Sequence, residues 1–223
     1  MYNYKLLNNH YVVEISEHHF IIDTGFPWSV TFNDRLKRVK IDDIVVELQN
    51  PTFFGFDVRK THKLVGYPVD GLLGADAFRD TGLTIFKDNE EGGRIDFAAH
   101  HINGSTYPMV ALTNNESTPF IKTDDGKLYL VDTGARYGYG VKEMFNGLTS
   151  SNTVWDYNPM LGDLYSTIYN VEVSMNNKKC HTTACYNIRV TFPIPNFLMV
   201  GNITDFFEKE CCIDYIGRKI IFN

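Results

Sequence analysis

The chain lacks any apolar run long enough to cross a bilayer, and it lacks an excess of positive charge. A spanning helix needs about 20 consecutive apolar residues, so no membrane partner is expected. Lys and Arg total 21 against 27 for Asp and Glu, a net charge of −6. That balance leaves no basic footprint for nucleic acid or an anionic lipid surface. Cysteine is scarce, with 4, and does not settle the redox compartment. Cys180 and Cys185 could bridge across a hairpin, the adjacent Cys211 and Cys212 are poorly placed to pair with each other, and four isolated thiols is the favoured reading. No secretory leader is visible, because Asn8, Asn9 and His10 interrupt the start before a hydrophobic run develops. The expectation is a cytoplasmic protein if the sequence is full length, or a secreted or periplasmic one if it is a trimmed mature form.

Several chemistries are also missing. His18-His19 and His100-His101 have no cysteine or carboxylate at ligand spacing, so solvated hairpin residues are favoured over metal ligands. Gly138-Tyr139-Gly140 is not followed by a βαβ unit, and no Gly-x-Ser-x-Gly or Cys/His signature is present. No metal and no organic cofactor are therefore expected. Helical signals are few: residues 141–145, and a short turn at 75–79.

What is present is strand. Residues 11–15, 20–22, 44–48, 83–86, 128–131, 168–175 and 219–222 are rich in Val, Ile, Tyr and Phe, with turn residues between them. Tyr169, Val171, Val173 and Met175 alternate with more polar neighbours, the period of a half-buried strand. The expected class is mostly β.

The chain also repeats itself. Phe20-Ile21-Ile22-Asp23-Thr24-Gly25 is matched by Tyr129-Leu130-Val131-Asp132-Thr133-Gly134. Asp70-Gly71-Leu72-Leu73-Gly74 finds its counterpart in Leu198-Met199-Val200-Gly201. Each half closes with a hairpin-like segment, at 83–97 and 212–222. Two lobes follow, at 1–103 and 104–223, with an exposed crossover near 98–108. The second carries the longer stretch between its two landmarks.

An apolar pair, Asp-Thr-Gly, and later an apolar pair with Gly form the lobe signature of the aspartic peptidases, and here it occurs twice. The chain resembles a pepsin-like or retropepsin-like enzyme in single-chain, two-lobed form. The resemblance implies an acid-protease-like β-barrel fold in which Asp23 and Asp132 are the catalytic pair. Thr24 and Thr133 would lock the two loops together, supported by Gly25, Gly134, Gly74 and Gly201. A groove between the lobes would take an extended peptide or protein substrate, with Phe26, Trp28, Arg136 and Tyr137 as candidate lining. The protein is expected to act as a monomer.

The chemistry suits those residues. Two facing carboxyls share one proton, because like charges in contact cannot both ionise cheaply. The ionised member activates a water and the protonated member donates to the scissile carbonyl oxygen. An acidic optimum follows, or a near-neutral one if the surroundings hold the shared proton more tightly.

Two departures bear on activity. Phe26 stands where a small residue is usual, and either walls a substrate pocket or disturbs the support of Asp23. The first lobe also leaves little length for a flap, and a surface loop is favoured over a covering arm for 149–165. The alternative function is a catalytically silent peptide-binding or scaffold protein of the same fold.

Overall fold

The computed structural model describes residues 1–53, 56–111, 118–158, 161–175, 178–190, 197–200 and 203–223. In chain order the first half forms β1 (Tyr2–Leu7), β2 (His10–Ile15), β3 (His18–Ile22), β4 (Val30–Thr31), β5 (Arg38–Ile41), β6 (Ile44–Glu47), β7 (Thr52–Phe53) and β8 (Phe56–Asp57). One short helix, α1 (Thr61–Val65), precedes β9 (Gly71–Leu73), β10 (Leu83–Asn89) and β11 (Gly92–Asp96). The second half forms β12 (Ser105–Pro108), β13 (Phe120–Lys122), β14 (Leu128–Val131), β15 (Gly138–Gly140), β16 (Ser150–Asn158), β17 (Gly162–Met175), β18 (Lys178–Tyr186), β19 (Phe197–Val200), β20 (Glu210–Asp214) and β21 (Lys219–Phe222). The expectation of a mostly β chain holds.

Apolar alternation explains the strands. In β17, Val171, Val173 and Met175 turn inward while Asn170 and Glu172 face water. The first hairpins close on two-residue turns with positive φ, at Asn8-Asn9 and Ser16-Glu17. Mirror-image turns of that kind match the twist of the flanking strands. The expected helical turns at 141–145 and 75–79 are 3-10 segments, Lys142–Phe145 and Ala75–Ala77.

Ten strands form one sheet in the order β12-β21-β20-β10-β11-β1-β2-β3-β9-β4, and seven form another in the order β13-β14-β19-β15-β18-β17-β16. Both are open. Among the described residues no sheet closes on itself, which corrects the expectation of a β-barrel: β4 is only two residues long and does not carry the sheet round to β12.

Within these sheets one small motif occurs twice. In the first half β2 pairs antiparallel with β3, β3 parallel with β9, and β9 antiparallel with β4. In the second half β13, β14, β19 and β15 repeat the same sequence of senses. The middle of the ten-stranded sheet is also symmetric under exchange of halves, since β1-β11-β10 on one side mirrors β12-β21-β20 on the other. The β10–β20 ladder, with Leu83 opposite Ile213 and Phe86 opposite Glu210, joins them. One apolar cluster runs through both halves, from Tyr11, Phe20, Ile22 and Leu73 to Tyr129, Val131, Ile213 and Phe222.

All four cysteines are free. Cys180 and Cys185 lie on the single strand β18 rather than across a hairpin. Five steps of extended chain separate them by about 16 Å, beyond disulfide reach.

Candidate active site

The repeated motif places its two aspartates. Ile22 lies opposite Leu73 at the end of the parallel β3–β9 pair, and the Asp23 amide donates to the Leu73 carbonyl at 2.9 Å. Asp132 leaves β14 where Val131 lies opposite Val200 on β19. The two loops then meet head to head.

Thr24 and Thr133 hold that meeting through reciprocal bonds. The Thr24 hydroxyl donates to the Val131 carbonyl at 2.6 Å, and the Thr133 hydroxyl to the Ile22 carbonyl at 2.8 Å. Each hydroxyl also accepts the backbone N–H of the other threonine at 3.1 Å. Both threonines are fully buried, where every polar group needs a partner, and here each half supplies the other's.

The glycines make the approach possible. A Cβ on Gly25 would sit 2.3 Å from Cγ of Asp132, and one on Gly134 would sit 2.1 Å from Cγ of Asp23. Each carboxyl therefore packs on the bare Cα of the opposite loop. The two carboxyls lie within hydrogen-bonding reach of each other. Asp23 accepts from the backbone N–H groups of Gly25 and Phe26 at 3.0 and 2.9 Å, and Asp132 from that of Gly134 at 3.0 Å.

Burial dominates the electrostatics. It pushes the Asp23 carboxyl well above the ordinary range, and the charge of Asp132 pushes it further. Burial raises Asp132 to about 6, opposed by the hydrogen bonds it accepts from the loops. The pair thus holds a proton under conditions where an exposed aspartate has lost its own. Beneath it lies Tyr215, a buried phenol with no hydrogen-bond partner, whose pKa is driven up by burial and by both aspartates.

Gly74 closes the first loop from behind. A Cβ there would meet the backbone of Trp28 and Phe26 at 2.4 to 2.7 Å, so the chain passes too closely for any side chain. Its N–H donates to Ser29 Oγ at 3.1 Å, and the Ser29 hydroxyl donates to Asp76 at 2.6 Å. Sequence reasoning missed Ser29 and Asp76 as a buckle; a lone serine carries no signal. Gly201, expected to play the part of Gly74 in the second half, lies outside the described residues, as do the side chains of Met199 and Val200.

The four candidate lining residues flank the two loops. The Phe26 ring packs against Val30 and Leu72 and stands edge-on to Trp28, with centroids 6.1 Å apart. Its amide supports Asp23, so its bulk does not strip the loop of support. Trp28 is exposed. The Arg136 guanidinium lies over the Tyr137 ring at 5.0 Å, and Tyr137 packs on the cluster of Tyr139, Leu164 and Cys185.

The stretch expected to be a surface loop is instead the long β16–β17 hairpin. It is anchored at Asp156, a buried carboxylate that accepts the Tyr139 hydroxyl at 2.7 Å. Its far end touches the first half, where Lys60 lies 5.5 Å above the Tyr157 ring and 3.9 Å from Asp163. Three of the paired histidines stand against carboxylates: His18 against Asp70 at 3.5 Å and His19 against Glu14 at 3.7 Å. His100 is bound by Asp96 at 2.7 Å.

Among the described residues no helix is long and apolar enough to cross a membrane. Compared with protein-family models and with curated proteins, the chain matches none.

Proposed function

We propose that this chain is a two-lobed, aspartic-peptidase-like hydrolase that cleaves peptide bonds with a water activated between Asp23 and Asp132. The observation that carries the reading is the carboxyl pair: the half-buried Asp23 and the buried Asp132 face each other, each packed on the other loop's glycine. A structural ion-pair site would set each carboxylate against a cation. Here like faces like, an arrangement that is unfavourable unless a proton is shared. The repeated four-strand motif and the mirrored central sheet support two equivalent lobes.

The singly protonated pair is the working form. Its ionised member takes a proton from water as the water attacks the carbonyl carbon, and its protonated member donates to the carbonyl oxygen. Because burial raises both groups, that form appears only as pH rises through about 6. Activity is therefore lost toward acid, when the pair gains its second proton, and lost again in alkali when the last proton leaves. Of the two optima open from sequence, the near-neutral one is favoured. The substrate is an extended peptide lying between the lobes, read by main-chain hydrogen bonds and side-chain contacts.

The deciding experiment is cleavage of a denatured protein mixture from about pH 3 to about pH 9, comparing wild type with Asp132→Asn. Mass spectrometry of the product ends gives the cut sites. Cutting by wild type alone, with a rising limb near pH 6, supports the peptidase. No cutting by either leaves the silent peptide-binding protein as the reading to pursue.

A further inference from the structure

We infer that Asn9, in the turn joining β1 to β2, and His10, the first residue of β2, are positioning residues, Asn9 holding the Asp132 loop from across the seam between the halves and His10 fixing the turn behind it. One directed bond from this turn reaches the loop: the Asn9 side-chain amide donates to the Arg136 carbonyl, two residues past Gly134, at 3.0 Å. Gly134 is the residue whose bare Cα makes room for the Asp23 carboxyl. A shift in its backbone is therefore a shift in the carboxyl pair.

The turn is anchored firmly enough to act as a support. Asn8 and Asn9 have φ of 47° and 68°, a tight hairpin geometry that asparagine tolerates. The Asn8 amide donates to the Leu64 and Val65 carbonyls at 3.0 and 3.2 Å. Those carbonyls end α1 and would otherwise lack partners.

His10 is completely buried, with Nδ1 2.8 Å from the Asn8 carbonyl oxygen. A carbonyl only accepts, so Nδ1 carries the proton and the neutral ring presents a lone pair at Nε2. That Nε2 is buried without a hydrogen-bond partner. Burial, assisted by the Arg136 guanidinium, outweighs the neighbouring carbonyls and lowers the ring to about 4, so it is neutral wherever the carboxyl pair is singly protonated. Ordinary core packing accounts for the burial but not for the imidazole. A phenyl ring would fill the space without stranding an acceptor. What the imidazole adds is an Nδ1–H bond that fixes the Asn8 carbonyl, and with it the turn from which Asn9 reaches Arg136.

The kinetic part of the test rests on the peptidase reading; the titration part does not. Carbon-13 NMR of the aspartate carboxyl carbons follows the two titration steps of the Asp23–Asp132 pair in the full chain. Wild type is compared with Asn9→Ala, His10→Phe and Ile41→Val, the last a core truncation in the β5–β6 hairpin. If the turn positions the loop, the carboxyls drift apart in the first two variants and interact less. Their titration steps then move closer together by about half a pH unit or more, and those of Ile41→Val stay as in wild type. Turnover falls about tenfold in Asn9→Ala and His10→Phe, with KM changed by less than about twofold. Unchanged titration steps in folded Asn9→Ala overturn the inference whatever the loss of stability. If His10→Phe does not fold, Asn9→Ala decides alone. If wild type cleaves nothing, the peptidase reading falls while the titration steps still decide the positioning role.

Discussion

The two halves carry the same four-strand motif and very different arms. In the first half the hairpin after the aspartate loop is β5–β6, with four-residue strands turning at Asp42-Asp43. In the second half the corresponding place holds β16–β17, with strands of nine and fourteen residues. The short arm leaves Val45 exposed to water. The long one crosses to the other half and rests on Lys60. The framework that sets the carboxyls is thus duplicated closely, and added length is kept outside it. Geometry at the seam tolerates little variation, because a Cβ at Gly25 or Gly134 already collides with a carboxyl. A hairpin tip meets no such limit.

The largest effect should come from breaking the shared part. Thr24→Val and Thr133→Val each remove a hydroxyl and leave a buried N–H and a buried carbonyl without partners. Each should lower stability by about 2–4 kcal/mol in urea titration. Near-equal losses would express the equivalence of the halves, and a clear inequality would break it.

A smaller effect, opposite in sign, should follow from the carboxyls. Their folded-state pKa values are raised, so the stability they contribute is complete below the unfolded value near 4 and is lost as pH rises through the folded value, about 6 for Asp132. At neutral pH Asp132→Asn should therefore stabilise the protein, by on the order of 2 kcal/mol, with no gain at about pH 4. Thermal unfolding at the two pH values checks this, and a loss at neutral pH would contradict it.

The smallest effect belongs to the arm. Lys60 and Asp163 are both about half exposed, so Lys60→Ala should change global stability by less than about 1 kcal/mol. Hydrogen exchange in β16 and β17 should nevertheless quicken while that in β5 and β6 stays the same. Equal rates in both hairpins would mean that the contact with Lys60 restrains nothing.

Much of the framework was legible in the sequence, and the reason is local. Apolar residues must run up to each Asp-Thr-Gly, and a glycine must follow where Phe26 and Trp28 pass over Gly74. Both requirements leave marks in the residues themselves. The register confirms how far such marks reach, with Ile22 set opposite Leu73 and Val131 opposite Val200. The β16–β17 hairpin was harder to read, because Ser150, Ser151, Asn152 and Thr153 look like loop residues when their pairing partners are not known. α1 spans five residues, too few to show a helical period. Asn9 and His10 were least readable of all. The bond from Asn9 to Arg136 joins residues 127 positions apart, and nothing in an asparagine announces a distant carbonyl.

The ladder between β10 and β20 also sets an order in time. As the chain is made, Asp23 and its loop emerge early. The edge of β10 waits for a partner that follows it only after nearly all of the second half. Non-local pairing of this kind forms late, since the chain must first be brought round on itself. The threonine grip and the facing carboxyls cannot exist before the second loop has been made and docked. Until then Asp23 stands without its counterpart, and the paired site is a property of the completed sheet rather than of either half alone.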